Sequence, residues 1–545
     1  QNFLNPAIKN ILPDPSILKD MNKTSKRTIN AINNKEKIGI FGDYDVDGAS
    51  STALLGKYFS HLGLNYEIYI PDRKTEGFGP SIKAFKNIIK KDLKLIFTVD
   101  CGTLSFEAID FANEKKVDVL VLDHHQSEIK LPKAFSIVNP NQVEDKSNLN
   151  NLCAAGVCFM FLISLNRELR NLNWFKENKI IEPNLIEYLD LVSLGTVCDV
   201  VPLTGINRAI VKQGLKILKE KKNLGIKTLL DICKIETTLT PYHLGYVLGP
   251  RINAGGRVGK CSHGANLLLN IDPKTSFSLA TELDSFNKER KILENNLLVD
   301  VNRQAIKCLD PVLVLCGENW HEGVIGIIAS RIKEKFNKPT IIISKNGNIG
   351  KASARSISGF DIGSIIIGAV QKGILIKGGG HKMAGGFSID SNKIQNFKQF
   401  VLDRYKKLDI NIHKQKRIYI DCLIAPTALN LEFFEKINIL APFGSGNTEP
   451  SFIIEDLKVI NSKIINEKHV KSVLIGSDGS AIKTIAFNAL ESDLGAYLLK
   501  KDNKPFNIVG KLSLNEWRGS KNVEFIIDDI SVTKYFTKKV PSSIG

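Results

Sequence analysis

The sequence lacks the features that place a protein in or across a membrane. Its 545 residues contain no apolar run long enough to span a bilayer and no signal-peptide pattern at the start. The nine cysteines form no CxxC pair, which argues against a structural zinc site and favours free thiols in a reducing compartment. We therefore expect a cytoplasmic protein without membrane contact. Since the first residue is Gln1 rather than Met, we also expect residues to be missing before it.

The sequence also has too few acidic residues to balance its basic ones. It contains 74 Lys and Arg against 57 Asp and Glu, which gives a net charge of +17. Such an excess is typical of proteins that bind a polyanion, most often a nucleic acid. The chain is rich in Lys, Asn and Ile, as an AT-rich genome would produce, so part of the excess is compositional. The charge favours a nucleic-acid partner without requiring one.

Short apolar runs alternate with amphipathic stretches from residue 38 to about 205. The predicted strands are 38–42, 66–70, 95–99 and 118–122, and the predicted helices between them are 48–62, 81–91 and 104–115. Continuous Ile, Val and Leu strands separated by helices predict a parallel sheet that is covered on both faces. Sheets of this kind carry their functional groups at the carboxyl ends of the strands.

The remainder of the chain divides into three further patterns. Residues 206–309 are predicted to be mostly helical and end in a long charged amphipathic stretch over 274–308. A second α/β pattern follows, with strands 311–316 and 339–344, helix 324–336 and the glycine-rich run 378–386. After about residue 410, predicted strands at 417–421, 451–460, 471–476 and 505–512 indicate a small β-barrel or sandwich.

Acidic and imidazole side chains follow three of the strands in the first pattern. Strand 38–42 runs into GDYDVDG, strand 95–99 into VDCGT and strand 118–122 into LDHH. Because parallel strands end at the same edge, these groups should converge on one rim. A further aspartate follows the apolar helix 185–197. The converging residues are Asp43, Asp45, Asp47, Asp100, Asp123, His124, His125 and Asp199.

A metal site explains this accumulation better than helix capping does. A single aspartate after a strand is usually a helix N-cap, but several like charges raise one another's pKa unless a cation lies between them. Carboxylates with one or two imidazoles and no thiolate suit Mn²⁺ or Mg²⁺, and the histidine favours Mn²⁺. The ligands exceed the needs of one ion. Two ions about 3.5–4 Å apart, sharing a carboxylate, would form a clamp for in-line attack on phosphorus.

Basic side chains elsewhere lie among small residues. KGGGHKMAGG lacks the Gly-Lys-Ser/Thr ending of a nucleotide P-loop. Its glycines would let backbone N–H groups approach an oxyanion beside His381 and Lys382, although a tight connection between strands would look similar. Arg251, Arg257 and Arg355 present planar guanidinium groups suited to phosphate, and the alternative for each is a surface salt bridge.

Several motifs resemble those of a known superfamily. GDYDVDG, VDCGT, LDHH and the Asp199 segment, in this order, resemble the four motifs of the DHH phosphoesterases, and GGGHKMAGGF (378–387) resembles the glycine-rich motif of the companion DHHA1 domain. More specifically, the sequence is similar to the RecJ family of bacterial single-strand-specific 5′→3′ DNA exonucleases. The segments that carry this similarity are IPDRKTEGFG (70–79), LGPRINAGGR (248–257), WHEGVIGIIASR (320–331), KASARS (351–356) and PFGSGN (442–447).

The resemblance implies an α/β protein of four parts. These are a parallel-sheet DHH domain over residues 1–205, a helical connector over 206–309, a smaller α/β DHHA1-like nucleic-acid-binding domain over 310–409 and a C-terminal β-barrel, an OB-fold, over 410–545. OB-folds bind single strands through a basic groove and aromatic stacking.

The resemblance also implies roles for individual residues. Asp100 is expected to bridge two ions, and His125 is expected to contact phosphate. Asp123 is expected to orient an imidazole by a hydrogen bond without binding an ion itself. The expected metal ligands are Asp43, Asp45, Asp47, Asp100, His124 and Asp199. The expected catalytic residues are Asp45, Asp47, Asp100, His124, His125 and Asp199. The expected nucleic-acid-binding residues are Arg73, Arg251, Arg257, Arg355, His381 and Lys382.

The function expected from this resemblance is a two-metal exonuclease that degrades single-stranded DNA from the 5′ end to mononucleotides, in DNA repair and recombination. A DHH phosphodiesterase acting on short oligoribonucleotides or cyclic dinucleotides is the alternative, although those relatives usually lack an OB-fold. A third hypothesis is an inactive replication scaffold, but such relatives lose the metal acids, which are present here. Single-stranded DNA, a single-strand-binding protein and a helicase are the expected partners of a monomeric chain.

One expectation concerns the division of labour between the parts. All of the expected metal ligands precede residue 200. Removal of the chain after about residue 410 should therefore weaken binding to long single strands and leave chemistry on short ones largely intact, because remote phosphate contacts supply affinity rather than catalysis.

Overall fold

The computed structural model describes residues 3–73, 75–77, 79–408, 418–500, 504–517 and 520–531. Within them, three separate β-sheets follow one another along the chain, and a group of helices stands between the first sheet and the second. The α/β fold class with a C-terminal barrel is confirmed.

The first sheet is parallel and has five strands in the order β2-β1-β3-β4-β5. Its strands are β1 (Ile38–Gly42), β2 (Tyr66–Tyr69), β3 (Leu95–Val99), β4 (Asp118–Leu122) and β5 (Ser136–Val138). The four predicted strands are present. The sequence did not predict β5, because its three residues are too few to show a pattern.

Helices cover both faces of this sheet. They are α1 (Ile8–Ile11), α2 (Met21–Asn33), α3 (Val46–His61), α4 (Ile82–Ile89), α5 (Phe106–Glu114), α6 (Ala154–Asn171), α7 (Trp174–Glu177) and α8 (Leu189–Cys198). Successive residues of one strand contribute to two different hydrophobic clusters: Ile40 packs in the cluster of α2, α3 and α6, and Phe41 in that of α4 and α5. Burial on both faces is what the uninterrupted apolar strands predict.

The predicted helical region is indeed helical. Its elements are α9 (Gly205–Lys219), α10 (Leu224–Ile232), a π-helix (His243–Leu248), α11 (Gly249–Val258), α12 (His263–Leu269) and the 35-residue α13 (Pro273–Lys307). The long helix reaches the second sheet, where Glu294 accepts hydrogen bonds from Arg290 of α13 and from Arg331. Among the residues described, no helix is sufficiently long and apolar to span a membrane.

The second sheet has the order β6-β7-β8-β10-β9, in which only the β6–β7 pair is parallel. Its elements are β6 (Leu313–Glu318), α14 (Ile325–Phe336), β7 (Thr340–Asn346), β8 (Ile349–Arg355), α15 (Ile362–Gln371), β9 (Lys377–His381), β10 (Ala384–Asp390) and α16 (Ile394–Lys406). The glycine-rich run forms the β9–β10 hairpin. A Cβ at Gly385 would lie 2.5 Å from Ile366 of α15, so the glycines permit this helix to pack closely on the sheet.

The third sheet closes into a barrel, which decides between the two architectures that the sequence left open. Its elements are β11 (Cys422–Leu423), α17 (Leu431–Asn438), β12 (Phe452–Ile465), β13 (His469–Ile475), β14 (Ala481–Ala486), α18 (Asp493–Leu499), β15 (Phe506–Trp517) and β16 (Ser520–Ser531). Strand β12 pairs with both β13 and β15, and this closes the ring.

One predicted strand of the barrel is wrong and two strands were missed. Residues 418–421 form no strand, residue 417 lies outside the described residues, and the short β11 begins only at Cys422. The side chain of Asp421 instead accepts a hydrogen bond from the backbone N–H of Ser451, so this segment serves as a turn that aligns β11 with β12. The missed strands are β14 and β16.

Candidate metal centre

Three neighbouring strands of the first sheet end at the same level. Gly42 of β1 is in register with Val99 of β3, which is in register with Leu122 of β4. The backbone ladder continues one residue further, because the Asp100 N–H donates to Leu122 O and the Asp123 N–H to Val138 O. The first acidic residue after each strand therefore lies on a common rim.

The acids and imidazoles of this rim come close enough to share ions. His124 is central: its Nε2 lies 3.3 Å from Asp100 Oδ1 and its Nδ1 lies 3.7 Å from Asp199 Oδ2. Three sets of ligand atoms each lie within 4.8 Å of one another, and Asp100 and His124 belong to two sets each. The sets are Asp43, Asp45 and Asp100; Asp47, His124 and Asp199; and Asp100, His124 and His125.

Asp45 and Asp47 are fixed by two different helices. Asp45 is the N-cap of α3, where its Oδ1 accepts the Gly48 N–H at 3.0 Å. Asp47 is buried and accepts the first backbone N–H groups of α6, from Ala154 at 2.6 Å and Ala155 at 2.9 Å. These bonds hold the carboxylate in one orientation.

Asp100 is buried, and its backbone lies in the left-handed region. Its φ is 60°, a conformation that aspartate adopts more readily than most non-glycine residues. Within the described residues, its buried Oδ1 has no hydrogen-bond donor. A buried carboxylate oxygen without a donor is the arrangement that a bound cation satisfies, so this residue fits the bridging role expected of it.

Asp123 is held by several donors and in turn holds His125. Its carboxylate accepts hydrogen bonds from Thr103, from the backbone of both histidines and from His125 Nδ1 at 2.7 Å. Burial alone would raise the pKa of Asp123, but the bonds from His125 and Thr103 bring it below its usual range. The same bond raises the pKa of His125 to about 9. The imidazole that Asp123 orients is therefore that of His125.

The other carboxyl groups show the repulsion that the sequence implied. Burial, followed by the charge of Asp45, raises the pKa of Asp43 to about 7. Burial, followed by the charges of Asp47 and Asp45, raises the pKa of Asp199 to about 8. Burial and neighbouring acids also raise the pKa of Asp47 and that of Asp100. A set of carboxyl groups that resists ionisation in this way, with imidazoles beside it, fits a hard divalent cation such as Mn²⁺ or Mg²⁺.

Two of the expected nucleic-acid-binding arginines lie near Tyr44, the residue after Asp43. The guanidinium of Arg73 is 5.6 Å from the ring centroid of Tyr44, which follows Asp43. The Tyr44 ring packs on Gly256 of α11, where a Cβ would lie 1.9 Å away. The next residue, Arg257, donates from Nη1 to Gly323 O at 3.0 Å, which joins α11 to the loop between β6 and α14.

Three more of the expected residues lie together on the second sheet. Ala384 of β10 is in register with Arg355 of β8 on one side and with His381 of β9 on the other, and Lys382 follows in the hairpin turn. Arg251 is placed differently: its Nε donates to Asp284 at 2.8 Å and its Nη1 to Val247 O. For Arg251 the structure therefore shows a salt bridge within the helical region, which was the alternative for each arginine.

The sequence did not identify the groups that hold these acids in place. Asn253 Oδ1 accepts the Val46 N–H at 3.1 Å, which fixes the start of α3. Asn253 lies within LGPRINAGGR and could have been found from that motif. The backbone N–H groups of Ala154 and Ala155 offer no side-chain signal, since any helix start presents such donors.

Comparisons with known proteins agree with this architecture. Three family models match successive parts of the chain: the DHH family N-terminal domain over residues 37–196, the DHHA1 domain over 309–407 and the RecJ OB domain over 420–529. The single-stranded-DNA-specific exonuclease RecJ of Escherichia coli (strain K12) is 33% identical, over 97% of this chain and 92% of that protein. The chain belongs to the RecJ family.

Other members of the RecJ family are similar over the same length. The Haemophilus influenzae RecJ is 33% identical over 97% of this chain and 93% of its own. The crystal structure of RecJ in complex with Mn²⁺ from Thermus thermophilus matches with a TM-score of 0.80 and 26% identity, over 100% of this chain and 75% of that one. The Mg²⁺ complex of the same protein matches with a TM-score of 0.74 and 26% identity, over 97% of this chain and 72% of that one. The resemblance seen in the sequence is confirmed.

Proposed function

We propose that this RecJ-family chain is a metal-dependent exonuclease that hydrolyses the phosphodiester bonds of single-stranded DNA from the 5′ end, releases 5′ mononucleotides and acts in DNA repair and recombination. The observation that carries the proposal is the intact cluster of acids and imidazoles on the rim of the first sheet. Its support from relatives is the 33% identity to proteins named single-stranded-DNA-specific exonuclease.

The cluster has the ligands for two ions of Mn²⁺ or Mg²⁺. We assign the ligand roles to Asp43, Asp45, Asp47, Asp100, His124 and Asp199, and the shared position to Asp100, whose carboxylate belongs to two of the three sets. Bound divalent ions supply a Lewis acid for phosphate oxygens and lower the pKa of a bound water, which makes hydroxide available at neutral pH.

The chain's own groups then hold the phosphate. His125 has a pKa of about 9 and is protonated at neutral pH; because its Nδ1 is bonded to Asp123, its Nε2–H can donate to a phosphate oxygen. We assign phosphate binding to Arg73 and Arg257 beside Tyr44, and to Arg355, His381 and Lys382 on the second sheet. Guanidinium groups suit this role because their planar fork matches phosphate geometry.

Arg257 of the helical connector donates to Gly323 O in the loop that follows β6, so the connector contacts the part of the chain that carries the second sheet. We propose that the strand passes between the parts that carry the first and second sheets, which we delimit as residues 1–205 and 310–409, with the barrel of residues 410–545 binding the strand further away. A single-strand-binding protein and a helicase would supply the strand to a monomeric, cytoplasmic enzyme.

The alternative functions have less support. A phosphodiesterase for short oligoribonucleotides or cyclic dinucleotides has no use for a barrel that binds long strands, and this chain matches the RecJ OB domain over residues 420–529. An inactive scaffold has no need to keep Asp100 buried among other acids.

The test is an assay on single-stranded DNA carrying a 5′ label, with Mn²⁺ or with EDTA. We expect the label to be released as a mononucleotide from the first turnover in Mn²⁺ and no release in EDTA. A 3′-labelled strand, a blunt duplex, a short oligoribonucleotide and a cyclic dinucleotide serve as comparisons. Equal rates on duplex and single strand without a helicase would contradict the proposed strand specificity, and preference for the cyclic dinucleotide would favour the alternative.

A further inference from the structure

The backbone is strained directly after Asp199. This aspartate ends α8, and the next residue, Val200, has a φ of 60°. A β-branched residue in the left-handed region is a true outlier, because its Cβ crowds the backbone. Such a conformation persists only where surrounding contacts hold it. The contacts that fix the chain after Val200 therefore help to fix the Asp199 carboxylate.

Those contacts come from a distant part of the sequence. The Leu203 N–H donates to Ser445 O at 2.7 Å, and Gly444 and Gly446 approach so closely that a Cβ on either would lie within 2.8 Å of the Leu203 or Pro202 side chain. These residues belong to PFGSGN, and we call residues 440–447 the docking turn. It precedes the main strands of the C-terminal barrel and lies against the segment that follows Asp199.

Arg208 holds the docking turn at its other end. Its side chain is 1% exposed and lies at the start of α9. Nη2 donates to Leu440 O at 2.7 Å and to Ala441 O at 2.9 Å, Nη1 donates to Pro442 O at 3.3 Å, and Nε donates to Phe3 O at 2.8 Å. Each N–H group of a buried guanidinium needs a hydrogen-bond acceptor, because an unpaired buried charge is costly. Carbonyl oxygens of the docking turn accept three of the four hydrogen bonds that Arg208 donates.

The neighbouring residue links the same place to Asp47. Asn207 Nδ2 donates to Pro202 O at 3.0 Å and to Asn151 O at 2.7 Å. Asn151 lies just before α6, whose first N–H groups hold the Asp47 carboxylate. The start of α9 is thus bonded to the backbone on both sides of the metal centre: to the segment after Asp199 and to the segment before α6.

We propose that Arg208 is a positioning residue which, by seating the docking turn on residues 202–208, holds Asp199 in the geometry that the metal centre needs. The C-terminal part of the chain would then contribute to ion binding as well as to strand binding. This inference rests on the proposed metal centre, but its primary test does not depend on nuclease activity. It also opposes the expectation that removal of the chain after residue 410 leaves chemistry on short strands intact, since that removal deletes the docking turn.

The test compares Arg208→Met with Lys212→Met in the full chain. Methionine removes the guanidinium donors of Arg208 and keeps most of the buried volume. Lys212 lies one turn further along α9 and donates to Leu4 O at 2.6 Å, so it controls for loss of a basic side chain that bonds the N-terminal segment rather than the docking turn. Titration with MnCl₂, followed by calorimetry or by electron paramagnetic resonance, gives the affinity of each ion.

For Arg208→Met we expect one of the two Mn²⁺ affinities to fall about tenfold while the other changes little. On a short single strand, the lost kcat should recover as the Mn²⁺ concentration is raised, and KM for the strand should stay near its original value. A purely structural role would lower the melting temperature without moving one Mn²⁺ affinity selectively. Lys212→Met should match the unmodified protein in each respect.

A second variant keeps the inference testable if Arg208→Met does not fold. Gly446 has a φ of 69° and its Cβ would meet Pro202, so Gly446→Ala disturbs the docking turn from the side opposite Arg208. The inference is overturned if the folded variant binds both Mn²⁺ ions as tightly as the original protein. A selective loss of Mn²⁺ affinity in a protein that never cleaves DNA would support the inference and reject the proposed exonuclease.

Discussion

Replacing Asp100 by asparagine should stabilise the metal-free protein and abolish cleavage at the same time. The carboxyl is buried, and burial together with the charges of Asp45 and Asp47 raises its pKa well above the usual range. Asparagine has nearly the same shape and no charge, and its amide can donate to the carboxylates around it. The substitution removes the repulsion from the folded state and would remove the proposed shared ligand of the two ions.

The pKa shift of Asp43 indicates how much free energy the crowding of these carboxylates costs. Its pKa rises from 3.8 to about 7, and one pKa unit corresponds to about 1.4 kcal/mol, so crowding and burial oppose its ionisation by on the order of 4 kcal/mol. Removing one neighbouring charge relieves part of this energy. We expect the free energy of unfolding of the metal-free protein to rise by about 1–2 kcal/mol at pH 8, which raises the melting temperature by roughly 2–6 °C.

The measurement is thermal unfolding of Asp100→Asn and of the unmodified protein in EDTA and in MnCl₂. Asp110→Asn, at an exposed position of α5, is the matched control and should change neither value. In Mn²⁺ the order of stability should reverse, because ions stabilise the folded state more when they bind it more tightly, and the variant binds them less tightly. Adding Asp45→Ala to Asp100→Asn should lower activity no further, since residues acting as one unit are not additive.

Two results would refute this reasoning. If Asp100→Asn melts below the unmodified protein in EDTA at pH 8, the charge crowding is not a net destabilising force. If it keeps strong Mn²⁺-dependent cleavage, Asp100 is not the shared ligand.

Two further predictions concern protonation. The pKa values of Asp43 and Asp199 are raised from 3.8 to about 7 and about 8 in the folded state. As pH rises from about 4 to 8, the unfolded chain loses these protons before the folded protein does, so the metal-free protein becomes less stable over this range. Because the ions bind the deprotonated ligands, the gain in melting temperature on adding Mn²⁺ should grow between about pH 6 and 8.5, and a gain that is flat with pH would contradict this. Asp123→Asn removes the hydrogen bond that raises the pKa of His125 to about 9, so the alkaline limb of the kcat–pH profile should move toward the ordinary histidine pKa of about 6.5. An unmoved limb would exclude protonated His125 as the hydrogen-bond donor to phosphate.

The rim of acids could be predicted because it depends on local pattern and one topological rule. Uninterrupted Ile, Val and Leu in 38–42 and 95–99 predict buried parallel strands, and parallel strands end on one edge. The structure confirms both steps and brings Asp43, Asp45 and Asp100 within 4.8 Å of one another. Nothing beyond the order of elements along the chain was needed.

The remaining features depend on contacts between distant segments. Arg251 and Arg257 stand in the same small-residue context in the sequence, yet one pairs with Asp284 and the other reaches the loop after β6. Which partner each arginine finds depends on how α11 packs against α13, and a local pattern does not contain that information. The strands missed in the barrel have a similar cause, since β14 pairs with β16 across an intervening helix and strand.

The proposed metal centre combines ligands from separate segments of the chain, and two of those segments have a left-handed backbone conformation at the ligand or next to it. Asp100 has a φ of 60° and so does Val200, which follows Asp199. Ion binding cannot by itself maintain such conformations in the metal-free protein, so other contacts must hold them. The backbone N–H of Asp100 is held by β4, within the sheet. The turn after Asp199 is not part of a strand, and it is held by the docking turn that Arg208 seats. PFGSGN is far along the chain from every proposed ligand, yet it is among the segments that resemble the RecJ family. Its contact with the segment after Asp199 gives a physical reason for that resemblance.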